Sequence, residues 1–360
     1  MKILIVRVSA IGDVIHTLPC VFLIKAMIPH AQISWIVQRK AAALIHNQPF
    51  LDHVWTLPNK FLSPRMLPQT WSILKEVRSQ QWDAIIDFQG LLKTSVLISL
   101  LSGTKFGFDR SHARWGGSSL FTHHHTEPHY VNIIQKNLAL TADAIQHLAP
   151  HTSCPTIHEL AQKFFLQIPQ KLQESVDCWL ALNNITQPII MCPNTTGTAK
   201  HWPLERWQEL CLMLTQDRTI TTHYSILLVG KQFGNAAQAL ATWIKHKHLP
   251  IICVPAWDLL TTAHLIKQSA LIIAPDTGLL HCADFLGTPS LGIFGPTLAT
   301  RHGPFLQPAN QRNAIQIACP HMYQKRHAAT KWAQVEQNCM LTLEAATVHK
   351  KIVNILNCPK

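Results

Sequence analysis

The sequence predicts an α/β protein built as two doubly wound, Rossmann-like domains facing each other across a cleft, and three observations carry that expectation. At 360 residues the chain exceeds what one ordinary hydrophobic core accommodates. Short β-rich runs alternate with helical apolar spacing twice along it, before and after a crossing marked by Pro150, Pro155, Pro169 and Pro188. The residues able to do chemistry fall just after the expected strands, where open α/β sheets bind their ligands.

The elements follow in order. Lys2 to Val8 is a β-rich run, and Ser9-Ala10-Ile11-Gly12-Asp13 turns from it into apolar helical spacing at Val14, Leu18, Phe22 and Ala26. Pro19 belongs to a first helical turn or a kink, so Asp13 lies in the loop or opening turn. Ile33 to Val37 and Asp83 to Phe88 read as strands, the latter ending at Gln89-Gly90 before an apolar helix through Leu101. After the crossing, strands are expected at Ile189–Cys192, Ser225–Val229, Ile251–Val254, Leu271–Ala274 and Ser290–Phe294. Helical windows such as Leu204–Thr215 and Leu259–Ser269 lie between them. A helix over Leu343–Leu356 closes the chain. These readings divide it into 1–170, 171–340 and a C-terminal helix, 341–360, that packs back toward the first domain.

Composition excludes several classes. With 47% hydrophobic and 14% charged residues the chain is globular rather than disordered. The most apolar window, Gly90 to Gly103, is too short for a membrane span and carries Lys93, and Arg7 interrupts the N-terminal run that a signal peptide would need. A cytoplasmic protein is expected. The ten cysteines form no C-x-x-C pair, which removes zinc ribbons and thioredoxin-like chemistry. His123, His124 and His125 are adjacent, so they point different ways in a strand or helix and read as a solvated basic loop rather than a metal site. The net charge of +12 is spread evenly over both halves, which argues against a nucleic-acid stripe and for anionic small substrates and an anionic membrane face.

Three loops carry the chemistry. Asp276-Thr277-Gly278 ends one strand and opens the helix of Leu279, Leu280, Ala283 and Leu286. Free N–H groups and the dipole favour a phosphate there; an ordinary capping Asp is the equal alternative. Pro193 to Pro203 follows the first strand of the second domain, with Thr195, Thr196 and Thr198 leading to Lys200, and reads either as a second phosphate-facing loop or as a polar connection. Asp13 occupies the corresponding place in the first domain, as a general base for an acceptor hydroxyl or as a helix cap. A dinucleotide fold of the dehydrogenase kind is disfavoured, because residues 9–13 lack G-x-G-x-x-G spacing.

At these residues the chain resembles glycosyltransferase family nine, the ADP-heptose:lipopolysaccharide heptosyltransferases, nearly end to end. The anchors are Lys2–Pro19 (KILIVRVSAIGDVIHTLP), Trp82–Ser95 (WDAIIDFQGLLKTS), Lys200–Trp207 (KHWPLERW), Asp276–His281 (DTGLLH) and Gly292–Thr297 (GIFGPT). The segment 87–93 is most similar to the heptosyltransferase I branch. The resemblance implies the GT-B architecture and an inverting transfer of heptose from ADP-heptose to a Kdo residue of lipid A. It implies Asp13 as base and Lys200 as the cation that neutralises the leaving diphosphate, in place of a metal or other cofactor. Thr195, Thr196, Thr277 and Gly278 would hold phosphate oxygens, Asp276 and His281 would shape the sugar pocket, and Trp257 would contact adenine. The family's acidic ribose contact is missing from Gly230–Asn235, where Asn235 stands in its place.

On the acceptor side Lys93, Arg65, Arg110 and Arg114 are available for carboxylates and phosphates. The partners implied are ADP-heptose, the Kdo-lipid A acceptor and the anionic inner face of the inner membrane, with no nucleic acid, for a monomer. The alternatives are another family-nine enzyme acting on a heptose acceptor, and a non-catalytic nucleotide-sugar binding protein.

Overall fold

A computed structural model describes residues 1–46, 48–150, 166–230, 234–319 and 339–357. It divides into two compact units, Met1–Gln167 and Ile168–Lys360, three residues from the expected 170/171 boundary.

The first unit holds a six-stranded, wholly parallel sheet in the order β3-β2-β1-β4-β5-β6. Its strands are β1 (Lys2–Val6), β2 (Gln32–Gln38), β3 (His53–Leu57), β4 (Ala84–Asp87), β5 (Thr104–Phe108) and β6 (His124–Thr126). The chain winds outward from β1 to β3, crosses back and winds outward again from β4, so its direction reverses between β1 and β4. The helices are α1 (Ile11–Ile15), α2 (Leu18–Met27), α3 (Arg39–Ile45), α4 (Leu67–Arg78), α5 (Leu92–Ser99) and α6 (Ile133–Leu148). The spacing expected to run from Val14 to Ala26 is two helices, because Pro19 sits in the opening turn of α2, where its missing N–H costs nothing. One face of the sheet, with Leu4, Val6, Ile36, Trp55 and Ile85, is covered by Val77 of α4 and Leu97 and Ile98 of α5. On the other, α2 packs against α6.

The second unit repeats the plan in the order β12-β11-β10-β7-β8-β9, again parallel throughout. Its strands are β7 (Ile189–Met191), β8 (Ile226–Leu228), β9 (Ile251–Cys253), β10 (Leu271–Pro275), β11 (Ser290–Phe294) and β12 (Ile315–Gln316). Its helices are α7 (Gln170–Leu182), α8 (Leu204–Gln216), α9 (Arg218–Thr221), α10 (Asn235–His246), α11 (Leu259–Lys267), α12 (Gly278–Leu286), α13 (Ala299–His302), α14 (Pro308–Asn313) and α15 (Ala345–Asn357). Here the winding reverses between β7 and β10. Gly287, left-handed at φ 78°, ends α12 as its sequence position suggested.

Two expectations need correction. The C-terminal helix was expected on the first domain; α15 instead packs on α8 and buries Val348 and Ile352 in the second unit's core, which takes up its apolar face. The histidine run is not a loop: His124 and His125 belong to edge strand β6, paired to Phe106 and Gly107 of β5, with His124 stacked on Phe106 at 4.9 Å. No helix among the described residues is long and apolar enough to cross a membrane.

Candidate functional site

In each unit the reversal of winding leaves the loops after two neighbouring strands side by side at the carboxyl edge of the sheet, which is where such sheets take ligands. The charged residues expected from the sequence stand at these two places.

In the first unit Asp13 is the third residue of α1, just after β1, with one carboxylate oxygen accepting from the Ala10 backbone N–H at 3.2 Å. Thr17 donates to its carbonyl at 2.9 Å, and Asn137 of α6 donates to the carbonyl of His16 at 3.2 Å, so the short helix is held from both ends. Two guanidiniums grip the Asp13 carboxylate. Arg7 lies 2.7 Å from one oxygen, and Arg114, from the loop after β5, donates to both at 2.9 and 2.8 Å. Burial alone would push this carboxyl up, but Arg7 and Arg114, with His16 adding to them, hold it far below the usual carboxylate range. The two cations differ in freedom: Arg7 is 1% exposed and also donates to the Phe88 carbonyl, whereas Arg114 is 39% exposed.

The loop after β4 completes this edge. Asp87, buried, accepts from the backbone N–H groups of Gln89 and Gly90 at 2.9 and 3.2 Å and from the Thr94 hydroxyl at 3.3 Å. Burial pushes its carboxyl up to about 6 in spite of those bonds. Gln89 reaches across to β1, its side-chain oxygen accepting from the Val8 and Ser9 N–H groups at 3.1 and 3.3 Å. Gly90 is left-handed at φ 56°, a Cβ there would stand 3.4 Å from the Arg114 nitrogen, and its carbonyl accepts from Trp115 N–H at 2.8 Å. That close approach seats Arg114 beside Asp13. Lys93, second residue of α5, places its ammonium 5.8 Å from the centre of the Phe61 ring. Burial and then the Arg114 charge lower its pKa.

The structure thus brings Asp13, Lys93 and Arg114 to the ends of three adjacent strands. Arg110, exposed, shares the loop after β5; Arg65, also exposed, follows β3, with β2 between that strand and β1.

In the second unit Lys200 ends the short turn Thr198–Lys200 after β7, and Asp276 follows β10 directly. Their ion pair is 2.6 Å long, and the other Asp276 oxygen is 3.1 Å from Nε2 of His281 on α12. Burial would raise the Asp276 carboxyl; the His281 hydrogen bond and the Lys200 charge, with smaller contributions from the charges of His281 and His302, hold it well below the usual range. Thr277 is the N-cap of α12, accepting from the Leu280 N–H at 3.5 Å, and Gly278 is the first helical residue. The dipole of a nine-residue helix and an ammonium therefore converge on one spot, which suits a phosphate group.

The remaining expected residues line the same edge. The Thr195 hydroxyl donates to the Gly197 carbonyl at 2.8 Å, closing the loop on itself, while Thr196 is exposed. Trp257, after β9, meets Trp179 of α7 edge to face at 5.0 Å. Asn235, exposed, opens α10 after β8.

Sequence reasoning missed Arg7, Asp87, Gln89 and Asn194. Asn194 is the staple of the second unit: its amide donates to the Gly230 carbonyl and its oxygen accepts from Ala237 N–H at 3.0 Å, tying the loop after β7 to the start of α10. Arg7 left a signal as a charge interrupting the first apolar run, where burial demands a partner, and Asp87 and Gln89 lay in the anchor segment 87–93 without a role assigned to them.

Solved proteins share this architecture. Escherichia coli heptosyltransferase WaaC with ADP superposes with a TM-score of 0.73, covering 99% of this chain and 100% of that one at 22% identity. E. coli ADP-heptose lps heptosyltransferase II gives 0.71 over 99% and 98% at 16% identity. The fold is GT-B, and the chain is a glycosyltransferase. The sequence model for glycosyltransferase family 9 (heptosyltransferase) matches residues 70–333, and the chain belongs to that family. Among curated relatives it is similar to lipopolysaccharide heptosyltransferase 1 of E. coli K12, 25% identical over 311 residues that cover 82% of this chain and 88% of that protein. The protein of the same name from Pseudomonas aeruginosa is 28% identical over 315 residues, 82% of this chain and 79% of that protein. The resemblance drawn from the motifs is borne out.

Proposed function

We propose that this enzyme transfers L-glycero-D-manno-heptose from ADP-heptose to a Kdo residue of lipid A, with inversion, in building the lipopolysaccharide inner core. The observation that carries the reading is Asp13: a carboxylate held ionised, after β1, at the edge of one sheet, while the second sheet offers Lys200 and a helix N-terminus. The names of the relatives, heptosyltransferases of lipopolysaccharide, support the substrate class.

In the proposed step the acceptor hydroxyl oxygen bonds to the anomeric carbon of heptose as the bond from that carbon to the diphosphate breaks. The hydroxyl proton passes to Asp13, and ADP leaves with the electron pair of the broken bond. Lys200 and the N–H groups at Thr277 and Gly278 meet the charge that develops on the diphosphate, and no metal or cofactor enters the scheme. Thr195 and Thr196 flank the phosphates, Asp276 and His281 orient Lys200 and the sugar, Trp257 packs on adenine and Asn235 faces ribose.

Asp13 gripped by two guanidiniums is a weak base, because its proton affinity is low. Arg114 resolves this: half-exposed, it can exchange Asp13 for a carboxylate or phosphate of the acceptor, and the loss of one cation raises the proton affinity of Asp13 as the hydroxyl arrives. Lys93, Arg110 and Arg65 add to the acceptor's charge complement. The protein would act as a monomer at the cytoplasmic, anionic face of the inner membrane. The test is ADP release with ADP-heptose and either Kdo₂-lipid A or an acceptor already bearing heptose. Activity with the second alone overturns the assignment.

A further inference from the structure

The layer that carries Lys93 also carries a surface that the transfer chemistry does not use. α4 and α5 bury their inner sides on one face of the first sheet, and each exposes large apolar groups on its outer side. Leu92, Val96 and Leu100 recur every four residues along α5 and are all exposed, which makes one continuous stripe. On α4, Leu67 and Trp71 do the same, with Trp71 58% exposed, and Leu120 stands 83% exposed on the turn Gly116–Phe121 that packs against α5. These are large apolar groups gathered on one layer rather than scattered singly.

Its charge says what covers it. Residues 58–121 hold eight Lys and Arg against four Asp and Glu, and one of the four, Asp87, is buried. Lys60, Arg65, Lys75 and Arg78 are exposed around the apolar groups. Apolar side chains ringed by cations match the interface of an anionic bilayer, where the rings and chains enter the acyl boundary and the cations meet headgroups. The stripe begins at Leu92, next to Lys93 in the first turn of α5 and just past the loop after β4 that holds Gly90, so docking there presents the acceptor edge of the sheet to the membrane surface.

We propose that the α4–α5 face seats the enzyme on an anionic lipid bilayer; its purpose, though not its chemistry, rests on the reading of a lipid-borne acceptor. The test is co-sedimentation with sucrose-loaded vesicles of phosphatidylglycerol and phosphatidylcholine, against vesicles of phosphatidylcholine alone. The wild type binds the anionic vesicles and is released by salt. Trp71→Glu and Val96→Glu, exposed positions outside the site, each weaken binding roughly tenfold, and Lys75→Glu weakens it about fivefold or more. All three keep their melting temperature and their rate on an acceptor stripped of its acyl chains. Binding by the variants equal to that of the wild type, or no binding by the wild type, overturns the proposal. So does a wild-type dimer in analytical ultracentrifugation that Val96→Glu dissolves, since the face would then cover a second copy. Vesicle binding without transfer would overturn the acceptor assignment and leave the surface standing; transfer to the stripped acceptor without vesicle binding would do the reverse.

Discussion

Replacing Asp13 by alanine does two separate things. The carboxylate is the ion-pair partner of Arg7, 2.7 Å away and almost wholly buried. Taking it away strands a guanidinium in the core, which costs about 3–5 kcal/mol of folding stability. For a domain of this size that is a fall in Tm on the order of 10 °C. Losing a general base is a different quantity, about 10²- to 10⁴-fold in kcat. A dead Asp13→Ala enzyme could therefore owe its state to either. The double variant Arg7→Met, Asp13→Ala removes both charges and fills the space with an apolar chain, and so recovers most of the stability. Melting curves should place it near the wild type, calorimetry should show ADP bound as before, and ADP release should stay roughly 10²-fold or more down. Arg7→Met alone keeps the base, with one cation fewer to depress it, and should retain transfer with the acid limb of its pH–rate profile moved upward. If the double variant instead transfers as well as Arg7→Met, Asp13 is a partner for Arg7 and the base lies elsewhere.

Arg114→Gln removes the exposed partner, so the Asp13 carboxyl rises toward the ordinary range and the base form is lost at a higher pH as the solution is acidified. The acid limb of kcat/KM, which reports the free enzyme, should shift up and KM for the acceptor should increase, while the limb of kcat moves little because Arg114 has already left Asp13 in the complex; melting changes little because the pair is partly solvated. A kcat limb that moves as far as that of kcat/KM would contradict the exchange of partners. Lys200→Met should lower kcat about 10²- to 10³-fold in steady-state ADP release, the scale of one lost transition-state donor, and a change confined to KM would mean that Lys200 only binds. Asp87 has its folded carboxyl at about 6, above its unfolded value, so its contribution to stability is full below about pH 4 and lost as pH rises through 6. Asp87→Asn should therefore gain on the wild type between pH 4.5 and 7.5 by up to about 3 kcal/mol in denaturant titrations, and a constant difference across that range would show that Asp87 is not protonated in the fold.

Most of the strands that sequence reasoning found are uninterrupted apolar runs buried on both sides. β1, β4, β10 and β11 are buried almost throughout and end in turn residues, so their runs are apolar. β3 (HVWTL), β5 (TKFGF), β6 (HHT) and the two-residue β12 escaped because polar, glycine or edge positions break the run. Asp13 and Asp276 were legible for a local reason, since each stands where a strand hands over to a helix. Their distant partners were not legible as partners, because that pairing is decided by topology. Arg114 is 101 residues from Asp13, and Lys200 is 76 from Asp276. Asn194 was hidden further, since its use depends on the backbone of Gly230, left-handed at φ 104°.

Both sheets place a carboxylate beside a helix N-terminus at the point where the winding reverses, and both bind it to a cation from another loop, Arg114 or Lys200. The arrangement is informative because each carboxylate occupies the kind of position that a substrate anion would be expected to prefer. Each also holds one fixed partner and one that can be shared. For Asp13 the fixed partner is buried Arg7 and the shareable one Arg114; for Asp276 they are His281, 5% exposed, and Lys200, 25% exposed. An arriving anion competes for the shareable cation alone. On the proposed reading, at the second sheet that exchange would deliver Lys200 to a diphosphate while His281 keeps Asp276 in place. At the first, it would free the oxygens of Asp13 from one guanidinium while Arg7 keeps the carboxylate aimed. The same electrostatic exchange would strengthen a base on one sheet and a leaving-group cation on the other, so chemistry would be favoured only with both substrates bound.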